Sequence, residues 1–414
     1  YGDHRDLHKE YRRQRQMCIR DRLIALINDP GFKTQDPNLF NGNAMTYYGR
    51  WVYRFEEAAR QGAEALIIIH ETAPASYPWK VVQNSWSGKQ IDLKRPNLGM
   101  DRIKVEGWIT NEVAEKLFND AGLSLEQLKE EALTRNFRPM PLKGLKMSAK
   151  LSNKLSFSVS HNVGGVKVGS KSPDEYILMM AHWDHLGKRE SHSHSNDQIY
   201  NGAVDNATGV AGVIELANSF KNVALDRSLL FLAVTAEESG LLGSQYFAEY
   251  PPIELSNIVA GYNFDGILPT GKTRDVVVVG YGASELENIL EEELNELDMY
   301  ITPDPAPEKG FFYRSDHISF AKKGVPMLYA DGGVDINDEG LEAGSKMSND
   351  YTQYHYHQPS DEYQDSWDLS GFKDHLEITR NMVLRLANSE EWPEWYEGNE
   401  FKAIREASKE IKSN

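Results

Sequence analysis

The stretch from Ile177 to Gly209, ILMMAHWDHLGKRESHSHSNDQIYNGAVDNATG, constrains this chain more than any other. Four consecutive apolar residues, Ile177 to Met180, read as a strand buried on both faces, the pattern of a parallel sheet covered by helices. His182 and Asp184 then fall at the strand's carboxyl end, the edge where open α/β sheets place ligands. Small residues surround Asp205 in Asn-Gly-Ala-Val-Asp-Asn-Ala-Thr-Gly, so backbone can come close to whatever that carboxylate holds, and a helix is predicted to begin near Thr208. Histidine and carboxylates on such an edge suit a divalent metal.

The same design recurs downstream. SLLFLAVTAEE predicts a strand ending in Glu237-Glu238, SNIVAGYNFDG one ending in Asp265, and RDVVVVGYG and VPMLYA two more. Helical spacing covers VAGVIELANSF, LLGSQYFAEY up to Pro251-Pro252, Ser284 to Asp298, and about Ser370 to Asn388. Ser315-Asp316-His317 precede a further helix, and His355 and His357 share a loop. Alternating strands and helices predict an α/β fold with a mixed, mostly parallel sheet flanked by helices. Between Met147 and Gly169 the alternation predicts paired strands with Gly164-Gly165 as a turn or bulge.

Upstream, LIALIND and AEALIIIHET read as strands, with helices over Gly49 to Gly62 and Thr110 to Gly122, so residues 23–147 form a smaller α/β module. Its His70 reads as a surface or satisfied core group. Residues 1–22 are dense in charge and look foreign to the rest of the chain. The run RRQRQMCIRDR resembles translated adapter sequence, which would make this start non-native.

At 414 residues with 40% hydrophobic content, two domains are expected. A net charge of -17 repels phosphate backbones and anionic membranes, which excludes nucleic acid as a natural partner. No apolar run approaches the roughly 20 residues a spanning helix needs. The single cysteine, Cys18, excludes an internal disulfide and a cysteine-based zinc cluster. Composition leaves compartment and oligomeric state open.

His182, Asp205, Glu238, Asp265 and His357 supply nitrogen and oxygen donors, and three carboxylates brought together repel unless cations neutralise them. Two zinc ions would do so, with one carboxylate spanning both, and Asp205 is the candidate for that place.

In order, AHWDHLG, NGAVDNATG, TAEESGLLGS, NFDG, RSDHISF and YHQPSDEY resemble the motifs of the M28 family of zinc peptidases over roughly residues 148 to 390. The resemblance implies a catalytic domain over 148–414 of the zinc exopeptidase type. It places His182 and Asp265 on one zinc, Glu238 and His357 on the other, Asp205 between them, and Glu237 as general base toward a metal-activated water. It further implies Asp184 orienting the His182 imidazole, Asp316 and His317 lining the pocket, with His317 the reserve ligand for His357, and Tyr356 aiding the developing oxyanion. His185, His192, His194 and His355 carry no assigned role.

The module at 23–147, through YYGRWVYRFEEAARQGAEALIIIHET, is similar to the protease-associated domain that some M28 enzymes insert. Those relatives carry a first catalytic segment ahead of the insert, which residues 1–22 do not supply. The implied function is an aminopeptidase acting on peptides with a free N-terminus. A carboxypeptidase, a one-zinc glutaminyl cyclase and an inactive receptor-like protein are the alternatives. The family's association with exported proteins implies a periplasmic or secreted location.

Overall fold

The structure, a computed structural model, describes residues 21–37, 39–40, 42–86, 89–188 and 197–413. It divides into two compact units, one holding the described residues up to Ser158 with Ala306–Tyr313, the other Val159–Pro305 and the described residues from Arg314 onward. The predicted tail lies outside the described residues as far as residue 20, and Arg22 already belongs to a strand.

The smaller unit is built from β1 (Arg22–Leu26), α1 (Trp51–Arg60), β2 (Ala65–His70), β3 (Val105–Thr110), α2 (Asn111–Asp120) and α3 (Leu125–Ala132). The strands form a parallel sheet in the order β1-β2-β3. Side chains of β2 alternate between the two faces. Leu66 and Ile68 pack with Phe55 and Ala58 of α1, while Ile69 meets Ala114 and Leu125 of α2 and α3. Thr110 and Ser124 cap the latter helices by accepting the N–H groups of Val113 and Gln127. His70 is buried, its Nε2 2.9 Å from the Tyr77 carbonyl oxygen, a satisfied core histidine.

The larger unit runs β4 (Val163–Lys167), β5 (Ser172–His182), α4 (Gly209–Phe220), β6 (Arg227–Val234), α5 (Leu242–Glu249), β7 (Ile258–Asn263), β8 (Asp275–Val278), α6 (Leu286–Asn295), β9 (Tyr300–Pro303), α7 (His317–Ala321), β10 (Met327–Asp331), α8 (Gly340–Tyr354), α9 (Ser370–Ala387) and α10 (Lys402–Ser413). Seven strands form its main sheet, in the order β9-β8-β10-β7-β5-β6-β4. The central block β10, β7, β5 and β6 is parallel, while β4 and β8 join it antiparallel. Both faces of β5 are covered, as its unbroken apolar run requires. Ile177, Met179 and Ala181 pack with Val213, Leu216 and Phe220 of α4 and Ile378, Met382 and Val383 of α9. Leu178 and Met180 point the other way, toward Phe247 of α5 and Phe320 of α7.

Contrary to the expected hairpin, Gly164 and Gly165 make no turn. They lie inside the single strand β4, opposite Leu232 and Phe231 of β6, and residues 147–162 form no strand. Alternation only permits a strand, and a ladder partner decides it. One edge of β6 is taken by β5, so a single segment can pair with the other. The helix α8 precedes His357 and adds to the elements the sequence pattern predicts. None of the helices among the described residues is long and apolar enough to cross a membrane.

His375, on the inward face of α9, is buried with no partner for its Nδ1 among the described residues, and its ring meets Phe264 edge-on at 6.1 Å between centroids. Burial pushes its pKa down to about 4 from 6.5. The unfolded chain therefore binds a proton between those values that the folded chain refuses. Stability from this group is complete above about pH 6.5 and falls as the pH drops toward 4, by about 3 kcal/mol in all. His375→Leu is expected to flatten that acid limb. Urea midpoints at pH 4.5 and 7.5 check it, and an unchanged difference between the two pH values would remove His375 as the cause.

Candidate metal centre

Because β5, β6 and β7 run the same way, their carboxyl ends deliver side chains to one edge of the sheet. His182 closes β5, Glu237 and Glu238 follow β6, and Asp265 follows β7. Asp205 arrives by another route, on a distorted turn over Ala203–Thr208 in which Asp205 and Asn206 leave helical backbone angles. Asp361 holds that turn, accepting the N–H of Val204 at 3.0 Å and that of Asp205 at 3.1 Å. Asn206 donates to the Phe264 carbonyl at 2.8 Å and so ties the turn to the residue before Asp265. Gly209 permits this approach, because a Cβ there would lie 2.7 Å from the Phe264 carbonyl oxygen.

The His182 Nδ1 lies 3.0 Å from the Asp184 carbonyl oxygen, which can only accept, so Nδ1 carries a proton and Nε2 is the nitrogen that faces the cluster. That Nε2 is 3.2 Å from Asp205 Oδ1 and 3.2 Å from Asp265 Oδ1. His357 Nε2 lies 3.2 Å from Asp205 Oδ2 and 3.1 Å from Glu238 Oε2. The two oxygens of Asp205 therefore face two different imidazoles. Ser315 donates to the other oxygen of Asp265, and the Tyr329 hydroxyl to its carbonyl at 3.2 Å.

These separations test whether the residues fit an ion. Zinc bonds nitrogen and oxygen at ~2.0–2.1 Å, so neighbouring donors of a tetrahedral site stand ~3.3 Å apart. The four separations of 3.1 to 3.2 Å match that spacing. His182, Asp205 and Asp265 form one group of converging donors, and Glu238, Asp205 and His185 a second.

The electrostatics agree with the crowding of acids. Burial opposes charge on both imidazoles. Even so, Asp265 and Asp205 hold His182 well above its usual value, and Asp205 and Glu238 push His357 up to about 10. Burial raises the Asp205 and Glu238 carboxyls, yet hydrogen bonds to the histidines bring both below the usual range. Glu237 goes the other way. Burial, together with the charges of Asp265, Glu238 and Asp316, outweighs His182 and lifts its pKa well above the usual carboxylate range.

Asp184 departs from its expected contact. Its carboxylate stands 3.9 Å from the His182 Nδ1 and instead accepts the Glu237 N–H at 3.0 Å, while its backbone carbonyl orients the imidazole. Adjacent chain makes the carbonyl the nearer acceptor. Asp316 is fully buried, and burial beside Asp265 raises its pKa to about 7. His317 is also fully buried, packed on Tyr329 at 5.1 Å between centroids, and belongs to neither donor group. His357 occupies the position for which His317 was held in reserve. Tyr356, 44% exposed, stacks on His357 at 3.9 Å between ring centroids, and crowding of its hydroxyl with the nearby carboxylates of Asp205 and Glu238 raises its pKa, so it remains a hydroxyl donor. His355 contacts Ser360, and His192 and His194 lie outside the described residues.

Sequence reasoning missed His185, Asp361 and Ser315. His185 stands three residues after His182 in the same motif, but its burial has no sequence signature. Asp361 acts on backbone more than 150 residues away in sequence.

Known proteins share this arrangement's family. The model of peptidase family M28 matches residues 162–383. A probable zinc metalloprotease of Pyrenophora tritici-repentis is 37% identical over 97 residues, which are 23% of this chain and 22% of that protein. Aminopeptidase YwaD of Bacillus subtilis is 31% identical over 109 residues, 26% of this chain and 21% of its own length. The chain thus spans about a fifth of the curated relatives it matches. Among solved structures, an aminopeptidase from Aneurinibacillus sp. strain AM-1 is 18% identical with a TM-score of 0.45, covering 90% of this chain and 76% of its own. With more than half of its residues inside the family match, and six motifs of that family in order along it, the chain belongs to peptidase family M28.

Proposed function

We propose that this protein is a two-zinc aminopeptidase, which removes the first residue of a peptide by hydrolysis. The observation that carries the reading is Asp205, whose two oxygens face His182 and His357 respectively, with Asp265 beside the first and Glu238 beside the second. His182, Asp265 and Asp205 would hold one ion, and His357, Glu238 and Asp205 the other. When bound, such ions polarise the scissile carbonyl and lower the pKa of a water between them. Relatives named as zinc metalloprotease and aminopeptidase support both the metal and the substrate class.

Glu237 is the proton carrier of this reading. Its backbone is fixed by Asp184, and its carboxyl, raised by burial, would be drawn back toward the usual range by cations beside it. A carboxylate so poised takes a proton from the attacking water and returns it to the leaving amine. No covalent intermediate is needed. The Tyr356 hydroxyl, kept protonated, can donate to the oxygen that gains charge as the carbonyl is attacked.

The choice of the amino end rests on charge. Asp184, Asp205, Glu237, Glu238, Asp265 and Asp316 gather around the site and make its lining acidic, although burial favours the neutral form of Glu237 and Asp316. A substrate ammonium is attracted there and a terminal carboxylate repelled.

Matched peptides with free and acetylated N-termini, with release of each end residue followed separately, test the reading. Loss of the first residue from the free peptide alone is expected, together with about two zinc per chain by elemental analysis. Release of the last residue from the acetylated peptide would turn the reading to a carboxypeptidase. Cyclisation of an N-terminal glutamine with one zinc per chain would turn it to a glutaminyl cyclase.

A further inference from the structure

Of the side chains assigned to the two ions, His182, Glu238 and Asp265 close or follow strands β5, β6 and β7, so the sheet itself fixes them. The remaining two come from irregular chain. Asp205 lies on the Ala203–Thr208 turn with backbone angles outside the helical range, and His357 follows α8 with a φ of 57°, the left-handed region that L residues seldom enter. Yet their side chains meet at 3.2 Å.

One buried residue joins the two segments. Asp361, 2% exposed, stands just past His357 in a turn where its N–H donates to the Gln358 carbonyl at 3.1 Å. Its own carbonyl accepts the Ala203 N–H at 3.1 Å, Oδ1 accepts the Val204 N–H at 3.0 Å, and Oδ2 accepts the Asp205 N–H at 3.1 Å. Three successive N–H groups of the Asp205 turn therefore end on a single residue. The Tyr351 hydroxyl, from the last turn of α8, donates to the same Oδ2 at 3.2 Å. Both oxygens are thus engaged by donors, and Asp361 belongs to neither group of converging metal donors.

We propose that Asp361 is a positioning residue, which locks the Asp205 turn to the segment carrying His357 and so sets the distance between the two ligands that the sheet does not place. The inference rests on the two-ion reading of the site and adds to it the group that assembles the second position. Without the Asp361 carboxylate, the N–H groups of Val204 and Asp205 lose their acceptor inside the protein, and the two segments are free to part. The consequence is uneven. The ion between Asp205 and His357 loses the spacing of two of its ligands, whereas the other keeps His182 and Asp265 at the strand ends and feels only a loosened Asp205.

The test uses the full chain, freed of metal by chelator and titrated with Co2+ by absorbance. Wild type is expected to bind two ions in two steps. Asp361→Ala is expected to weaken one step by roughly 10- to 100-fold, as loss of an outer partner does, and the other by less. Asp361→Asn is expected to recover most of that loss, because a carbonyl oxygen in the place of Oδ2 lies within 3.2 Å of Val204 N, Asp205 N and the Tyr351 hydroxyl. Should the alanine variant not fold, Tyr351→Phe removes one of these hydrogen bonds and is expected to weaken the same step by roughly fivefold.

Amide hydrogen exchange of the metal-free proteins separates positioning from general loss of stability. Faster exchange at Val204 and Asp205 in the alanine variant, with β5 amides as slow as in wild type, supports the inference. Unchanged exchange at those two amides, equally faster exchange in β5, equal weakening of both steps, or asparagine as weak as alanine would overturn it. Two-step uptake by wild type beside an indifferent Asp361→Ala ends this inference alone. A wild type that takes up no ion ends the metallopeptidase reading and this inference with it.

Discussion

Glu237→Gln is expected to keep both ions and lose about 10²- to 10⁴-fold in kcat, the usual contribution of a positioned general base. That loss corresponds to about 3 to 5 kcal/mol of activation barrier. The substitution preserves volume and the backbone hydrogen bond to Asp184, because that bond is made by the Glu237 N–H and not by its side chain. It removes only the capacity to take up a proton. Substrate binding, made elsewhere in the site, leaves KM near its starting value, so the loss should appear in kcat and kcat/KM alike. Steady-state kinetics beside elemental analysis check this. Activity within tenfold of wild type in a metal-replete variant would take the base role from Glu237.

The second large effect belongs to Asp205→Ala. Among the described residues Asp205 is the one side chain within 3.2 Å of both His182 and His357, so its loss leaves each proposed ion with two of its three protein donors and no shared carboxylate. Affinity at both positions should fall by more than the roughly 10- to 100-fold that losing an outer partner costs. Activity should vanish together with bound zinc. The metal-free protein should also melt below metal-free wild type, because the two imidazoles that hold the Asp205 carboxyl below its usual range lose their shared partner. One ion still held tightly would place Asp205 in a single position and end the two-ion reading.

These effects converge on one edge of the sheet, and much of that edge was legible in the chain. Unbroken apolar runs such as ILMM and LLFL can be buried only in a sheet covered on both faces, so polar residues straight after them must collect at a common edge. That reasoning located His182, Glu237, Glu238 and Asp265 without a structure. It located Asp205 through the small residues that let backbone crowd it. It failed where a strand needs a neighbour, as with the unpaired alternation before β4, and where a role depends on what lies opposite. Asp184 shows the difference: it sits next to His182 as expected, yet its carboxylate serves Glu237 and its carbonyl serves the imidazole.

By itself the sequence determined which side chains could carry the chemistry, the alternation of strands and helices, and the end of the sheet at which they gather. Period and burial are local properties, written into each segment. Only the tertiary structure decided that His357 rather than His317 faces Asp205, that Asp361 pins the Asp205 turn, and that His185 lies against Glu238. Those outcomes depend on distances of a few tenths of an ångström between residues far apart in the chain. Packing of the whole sheet sets such distances, and no short stretch of sequence contains them.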